Sequence, residues 1–179
     1  MKRETEADAV DDVERLMAAF CAPDGGSSIQ RKLNLLLELD RYQDPRMVPF
    51  LIDGLTDPEE AVEVRMACAR QLRNERLADA ERPGVAVAMV EVLSEAEPDD
   101  LRLEAVLALG ELTDVPSVPT ALGTLALRVT EPVDLRYTAF TSLERAGPMP
   151  LTVQLFRQLM ADEILGLSAH SVLRLWRVI

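Results

Sequence analysis

The amino-acid sequence copies itself, and that constrains the fold more than any other feature of it. Val64-Arg65-Met66-Ala67-Cys68-Ala69-Arg70-Gln71-Leu72, Leu101-Arg102-Leu103-Glu104-Ala105-Val106-Leu107-Ala108-Leu109-Gly110 and Leu135-Arg136-Tyr137-Thr138-Ala139-Phe140-Thr141-Ser142-Leu143 share one pattern. Each has an aliphatic residue, then Arg, a small residue three places on and Leu seven places on. The arginines stand 37 and 34 residues apart, Ser168 takes the same place 32 residues later, and Lys32 with Leu35, Leu36 and Leu39 fits one period earlier. A second pattern precedes each of these: Val48-Pro49-Phe50-Leu51-Ile52-Asp53-Gly54-Leu55 parallels Val118-Pro119-Thr120-Ala121-Leu122-Gly123-Thr124-Leu125, with looser copies at 86–93 and 152–159. A unit of this size cannot bury its apolar face alone and does so by stacking on its neighbours.

Both patterns place apolar residues three and four apart, the spacing of a helical stripe, so each unit reads as two helices, A and B. The spacing predicts A helices near 8–20, 45–56, 83–94, 116–129 and 150–161, and B helices near 28–41, 58–74, 98–113, 132–146 and 164–178. This makes one domain over 1–179, with repeats near 8–41, 45–74, 83–113, 116–146 and 150–178. Asp57-Pro58-Glu59, Glu97-Pro98-Asp99 and Glu131-Pro132 punctuate the A-to-B turns, and Pro45, Pro83, Pro116 and Pro148 are expected to open A helices. Ala22-Pro23-Asp24-Gly25-Gly26-Ser27 is a break, capped by Ser27 or Ser28. Residues 75–82 are either a helix extension or a longer loop. Aromatic residues are only 4% of the chain, so the core must be Leu, Val and Ala, which suits packed helices.

Asp44-Pro45-Arg46-Met47-Val48-Pro49-Phe50-Leu51, followed by a turn and Val64-Arg65 or Leu101-Arg102 with Ala105 and Leu109-Gly110, resembles HEAT repeats. The likeness is closest to the short bacterial kind also seen in phycobilisome lyases, clear over 44–147 and weaker at both ends. The resemblance implies an all-α solenoid of about five helical hairpins and says little about activity. HEAT-like enzymes similar to deoxyhypusine hydroxylase hold iron with several His-Glu pairs. Here His170 is the only histidine and Ser171 follows it, so no such site is expected.

The charge excludes other classes. The chain holds 31 acidic and 19 basic residues, a poor match for phosphate-driven nucleic-acid binding. The row Arg65, Arg102 and Arg136 reads as structural, pairing with carboxylates or carbonyls along the stack, against the alternative of a basic concave face for duplex DNA. No Gly-x-Ser-x-Gly elbow and no phosphate-binding glycine loop is present, and Gly25-Gly26 reads as a turn. Cys21 and Cys68 lie in apolar helical stretches and are expected to be reduced core thiols. The first residues carry no signal-peptide pattern and no apolar run reaches the roughly 18 residues a membrane span needs. A cytoplasmic protein is the expectation.

Residues 1–100 carry 23 acidic and 12 basic side chains, and the acidic ones cluster: Asp53, Asp57, Glu59, Glu60 and Glu63, then Glu91, Glu95, Glu97, Asp99 and Asp100, then smaller groups at Glu131 with Asp134 and Asp162 with Glu163. In a solenoid these turns share one edge. Two readings stand: helix-dipole complementarity with solubility, or an edge that docks a protein partner with a basic surface. Arg41, Arg46, Arg73, Arg76, Arg82 and Arg145 mark the opposite edge.

The expected function is a non-catalytic interaction module, an adaptor or scaffold without a cofactor, using a concave face lined by B helices. Helical phase offers Arg70, Glu104, Glu111, Tyr137, Thr141 and Glu144 on that face, and the acidic edge adds Asp99 and Asp100. Trp176, the only tryptophan, either packs on Phe156 or anchors a homodimer through the last helix. By resemblance, the alternative is a subunit of a bilin-lyase-like enzyme. A nucleic-acid binder is the remaining class.

Overall fold

The structure, a computed structural model, describes residues 2–22, 28–74, 77–94 and 96–179, with side chains from Asp12 onward. It is all-α, with ten helices among the described residues, packed in neighbouring pairs as a helical repeat protein would pack them. The chain divides into two compact units, Met1–Leu77 and Ala78–Ile179.

The first unit contains α1 (Lys2–Cys21), α2 (Ile29–Leu39), α3 (Met47–Thr56) and α4 (Val62–Asn74). Helix α1 packs on α2, α2 on α4, and α3 on α4. Val13, Leu16 and Phe20 repeat at three- and four-residue steps on α1 and are buried. The Phe20 ring meets Phe50 edge-on at 5.1 Å. Ser28 is the cap of α2, its hydroxyl accepting from the Arg31 N–H at 3.2 Å; Ser27 lies outside the described residues.

The second unit contains α5 (Arg82–Glu91), α6 (Asp99–Leu109), α7 (Val118–Leu127), α8 (Val133–Ala146), α9 (Pro150–Leu159) and α10 (Gly166–Leu175). Each hairpin closes on itself, A helices α5, α7 and α9 pack in succession, and α6 packs on α8. A side chain at Gly123 would meet Leu155 within 2.6 Å, so this glycine sets how closely α7 and α9 approach. Gly147, at φ +85°, ends α8 in a conformation that disfavours side chains.

The elements fall where the periodicity puts them, but the turns take more residues than expected. Helix α4 begins at Val62, four residues after Pro58, because Asp57-Pro58-Glu59-Glu60 makes its own turn: Asp57 Oδ1 accepts the Glu59 N–H at 2.9 Å. Pro45, Pro116 and Pro148 sit in the turns before α3, α7 and α9, two residues ahead of each helix, and only Pro83 of the four lies in a first turn. Pro98 and Pro132 are the cap residues of α6 and α8. At the other end α1 begins at Lys2, earlier than the expected residue 8.

The repeated arginines have one structural task. Arg65, Arg102 and Arg136 are 4%, 3% and 2% exposed. Each Nε donates to a carbonyl at or just past the end of the preceding A helix: Arg65 to Leu55 at 2.8 Å, Arg102 to Leu93 at 3.3 Å and Arg136 to Ala126 at 3.0 Å. These carbonyls have no partner within their own helix, and the guanidinium supplies one. In Arg102 and Arg136 the far end of the side chain reaches the A-to-B turn of the next hairpin. Arg102 Nη2 meets Glu131 Oε2 at 2.6 Å, 29 residues on, with both side chains 3% exposed. Arg136 meets Asp162 in the same way, 26 residues on. In the first unit Lys32 takes the role, its Nζ 2.5 Å from Glu60 Oε2, 28 residues on, and 4.9 Å from the Phe20 ring. In α2, α6 and α8 one basic position thus ties a hairpin to the turn of its successor.

Asp162 has a second duty, accepting the N–H groups of Ile164 and Leu165 at 2.9 Å to start the turn into α10. Burial alone would raise its pKa. Those N–H bonds and the Arg136 guanidinium outweigh burial and hold the carboxyl below its ordinary value of 3.8. A folded pKa depressed in this way contributes stability above the ordinary value, and the contribution is lost as pH falls through the folded one. Thermal unfolding followed by circular dichroism from about pH 7 to about pH 3 should show the wild type losing stability below its carboxylate range. Asp162→Asn should start less stable and show a shallower acid loss; equal acid slopes would contradict this role.

Candidate interaction surface

On the B-helix side of the second unit an open groove of about 320 Å³ runs between α8 and α10. Helix α8 supplies Tyr137, Phe140 and Glu144; α10 supplies Leu167, Ser168, Ser171 and Val172. Phe140 and Val172 are buried and form its floor. Tyr137 is 50% and Leu167 87% exposed, large apolar side chains open to solvent. Small residues make the groove: Ser168 stands where the earlier B helices carry Arg, and Ser171 follows it one turn later. Val133, one turn before Tyr137, and Leu175, one turn after Ser171, extend the exposed apolar stripe along both helices by their helical phase.

A larger hollow of about 530 Å³ lies on the A-helix side between α5 and α7, lined by Val90, Leu93, Ala121 and Leu125 with Glu91 and Arg128 at its rim. Arg128 is held by Glu131 at 3.0 Å, so the ion-pair network of the stack reaches into it.

Of the residues singled out from the sequence, Tyr137 and Glu144 come together in the α8/α10 groove, and Thr141 lies one turn from Tyr137, its hydroxyl donating to the Thr138 carbonyl at 3.0 Å. The others do not join them. Asp99 and Asp100 sit at the start of α6, and Asp99 meets the buried Arg102 at 3.0 Å. Glu111 lies past the other end of α6 and accepts from Arg145 Nη1 at 3.1 Å. Arg70 is exposed on α4 in the other unit, and Glu104 is half-buried on α6. Trp176, at the end of α10, packs edge-on against Phe156 at 4.9 Å, closing a run of rings through Phe156, Phe140 and Tyr137.

Several charges of the A-to-B and B-to-A turns are used internally. Glu131 and Asp162 are ladder acceptors rather than surface groups, and Glu60 is largely covered. Among the arginines of the B-to-A turns, Arg46 pairs with Asp44 and Arg82 with Asp114. Each guanidinium holds its partner's carboxyl below the ordinary range. Glu95 and Arg76 lie outside the described residues. Asp57, Glu59, Glu63 and Asp100 remain exposed.

The groove's α10 side was not read from the sequence, although the change from Arg to Ser168 marks it. No three His, Cys, Asp or Glu side chains converge as a metal-ligand set among the described residues, and His170 is exposed on α10. No described helix is long and apolar enough to cross a membrane. The chain matches no protein-family model and no curated protein.

The two cysteines differ, which corrects the expectation of two core thiols. Cys68 is buried against Gly54, and burial pushes its thiol up to about 12. Cys21, the last residue of α1, is exposed. Ellman titration of the native chain should therefore find one reactive thiol, absent from Cys21→Ser, with Cys68 reacting only on unfolding. Two fast thiols in the native chain would contradict this burial.

Proposed function

We propose that this chain is a non-catalytic protein-interaction module, an adaptor or scaffold built as an α-solenoid of HEAT-like hairpins. The supporting observation is the α8/α10 groove, where Tyr137 and Leu167 stand exposed beside a buried apolar floor. Interfaces place aromatic and aliphatic anchors in such settings. The exposed carboxylates Asp57, Glu59, Glu63 and Asp100 would add attraction for a partner with a basic surface and quicken encounter at low salt. A role in nucleic-acid binding is disfavoured by the buried state of Arg102 and Arg136, both committed to carbonyls and carboxylates.

Affinity capture from the native host, with mass spectrometry, tests the reading. Wild type should retain a discrete protein partner that Tyr137→Glu loses. Tyr137 is half exposed, so the variant should melt within about 1 kcal/mol of wild type. A partner retained equally by both would move the interaction off this face. Capture of no protein at all, or of nucleic acid alone, would overturn the reading.

A further inference from the structure

The α8/α10 groove carries a single charge. Glu144 lines it, half-buried, and among the described residues it takes part in no ion pair. The neighbouring cations are not paired with it. Arg136 is buried in the ladder, Arg145 is paired with Glu111, and His170 and Arg174 are exposed on α10 and form no ion pair with Glu144 among the described residues. Glu144 also sits in the last turn of α8, where the helix ends its carbonyls and its dipole is negative. The groove therefore has an apolar floor at Phe140 and Val172, apolar flanks at Tyr137 and Leu167 with Ser168 and Ser171 between them, and a negative charge at one end.

We infer that the groove receives an amphipathic helix of a partner protein, which lays aliphatic or aromatic side chains over Phe140 and Val172 between Tyr137 and Leu167 and sets a Lys or Arg against Glu144. Two helices that line one groove with small residues between them leave a trough into which the ridge of a third helix fits. The exposed stripe from Val133 through Tyr137 on α8, matched by Leu167 through Leu175 on α10, is long enough to meet successive turns of such a helix. A half-buried carboxylate without a cation gains from the partner's charge more than an exposed one does. Glu144 would thus fix the direction in which the helix lies, while the apolar stripe supplies affinity.

The inference rests on the interaction-module reading, and the experiment separates the two. A random-peptide display library is selected on the full chain, and the best peptide is synthesised and titrated. The expected peptides carry aliphatic or aromatic residues at helical spacing with a flanking Lys or Arg. Binding should fall by about tenfold or more on Leu167→Ser and on Glu144→Lys, and a peptide with its cation changed to Glu should recover affinity for Glu144→Lys. Both substitutions are on groups that contribute little to the core, and unchanged melting curves confirm that the variants fold. Peptides without a cation, or peptides that bind wild type and both variants alike, would overturn the inference, as would failure to select any. A natural partner captured by wild type that still binds Leu167→Ser and Glu144→Lys would overturn the groove while the module reading stands. No partner and no peptide together would overturn both.

Discussion

A guanidinium can lie inside a stack of leucines only if its charge and its donors are met there. In this chain both conditions are satisfied by the next element along. The Nε of Arg102 and of Arg136 satisfies the end of the helix before it, and the terminal nitrogens reach a carboxylate in the turn of the hairpin after it. The same side chain therefore caps one helix, positions a second and neutralises a third. Lys32 and Glu60 reproduce the link in the first unit with a shorter cation. Ordinary hydrophobic burial of Leu101, Ala105 and Leu109 gives these helices their affinity for one another, but apolar faces slide easily. The ion pair fixes register, because a displaced hairpin would leave a buried charge alone.

That arrangement decides what the surface has left to offer. Acidic residues at the A-to-B turns look from composition like a docking edge, yet Glu60, Glu131 and Asp162 are spent within the stack. Arg46, Arg82 and Arg145 of the B-to-A turns are likewise engaged. In the last hairpin the ladder position is Ser168, which needs no carboxylate and fills less space. Ser168 is one of the residues that line the α8/α10 groove.

Much of this was legible in the sequence for a physical reason: repeated helices need repeated apolar spacing, and each copy strengthens the reading of the others. The helix order, the position of the buried arginines and their partnership with carboxylates or carbonyls all follow from that periodicity. The turns were less legible. A proline marks a helix start only to within a turn, so Pro58 and Pro116 pointed to α4 and α7 a few residues early. The groove was half visible. Tyr137 and Glu144 follow from the phase of α8, whereas Leu167 and Ser171 require knowing how α10 lies beside it. Trp176 could be core or interface by its type alone, and its contact with Phe156 needs the third dimension.

The central claim is that buried cation–carboxylate pairs couple successive hairpins. A double-mutant cycle on Arg102 and Glu131, read by urea unfolding of Arg102→Met, Glu131→Gln and the double variant, measures it directly. Each single change strands a buried partner and should cost about 3–5 kcal/mol, while the double should cost well under the sum, leaving a coupling of about 2 kcal/mol or more. Single costs below about 1 kcal/mol that simply add would place the pair among ordinary surface ion pairs and contradict the account.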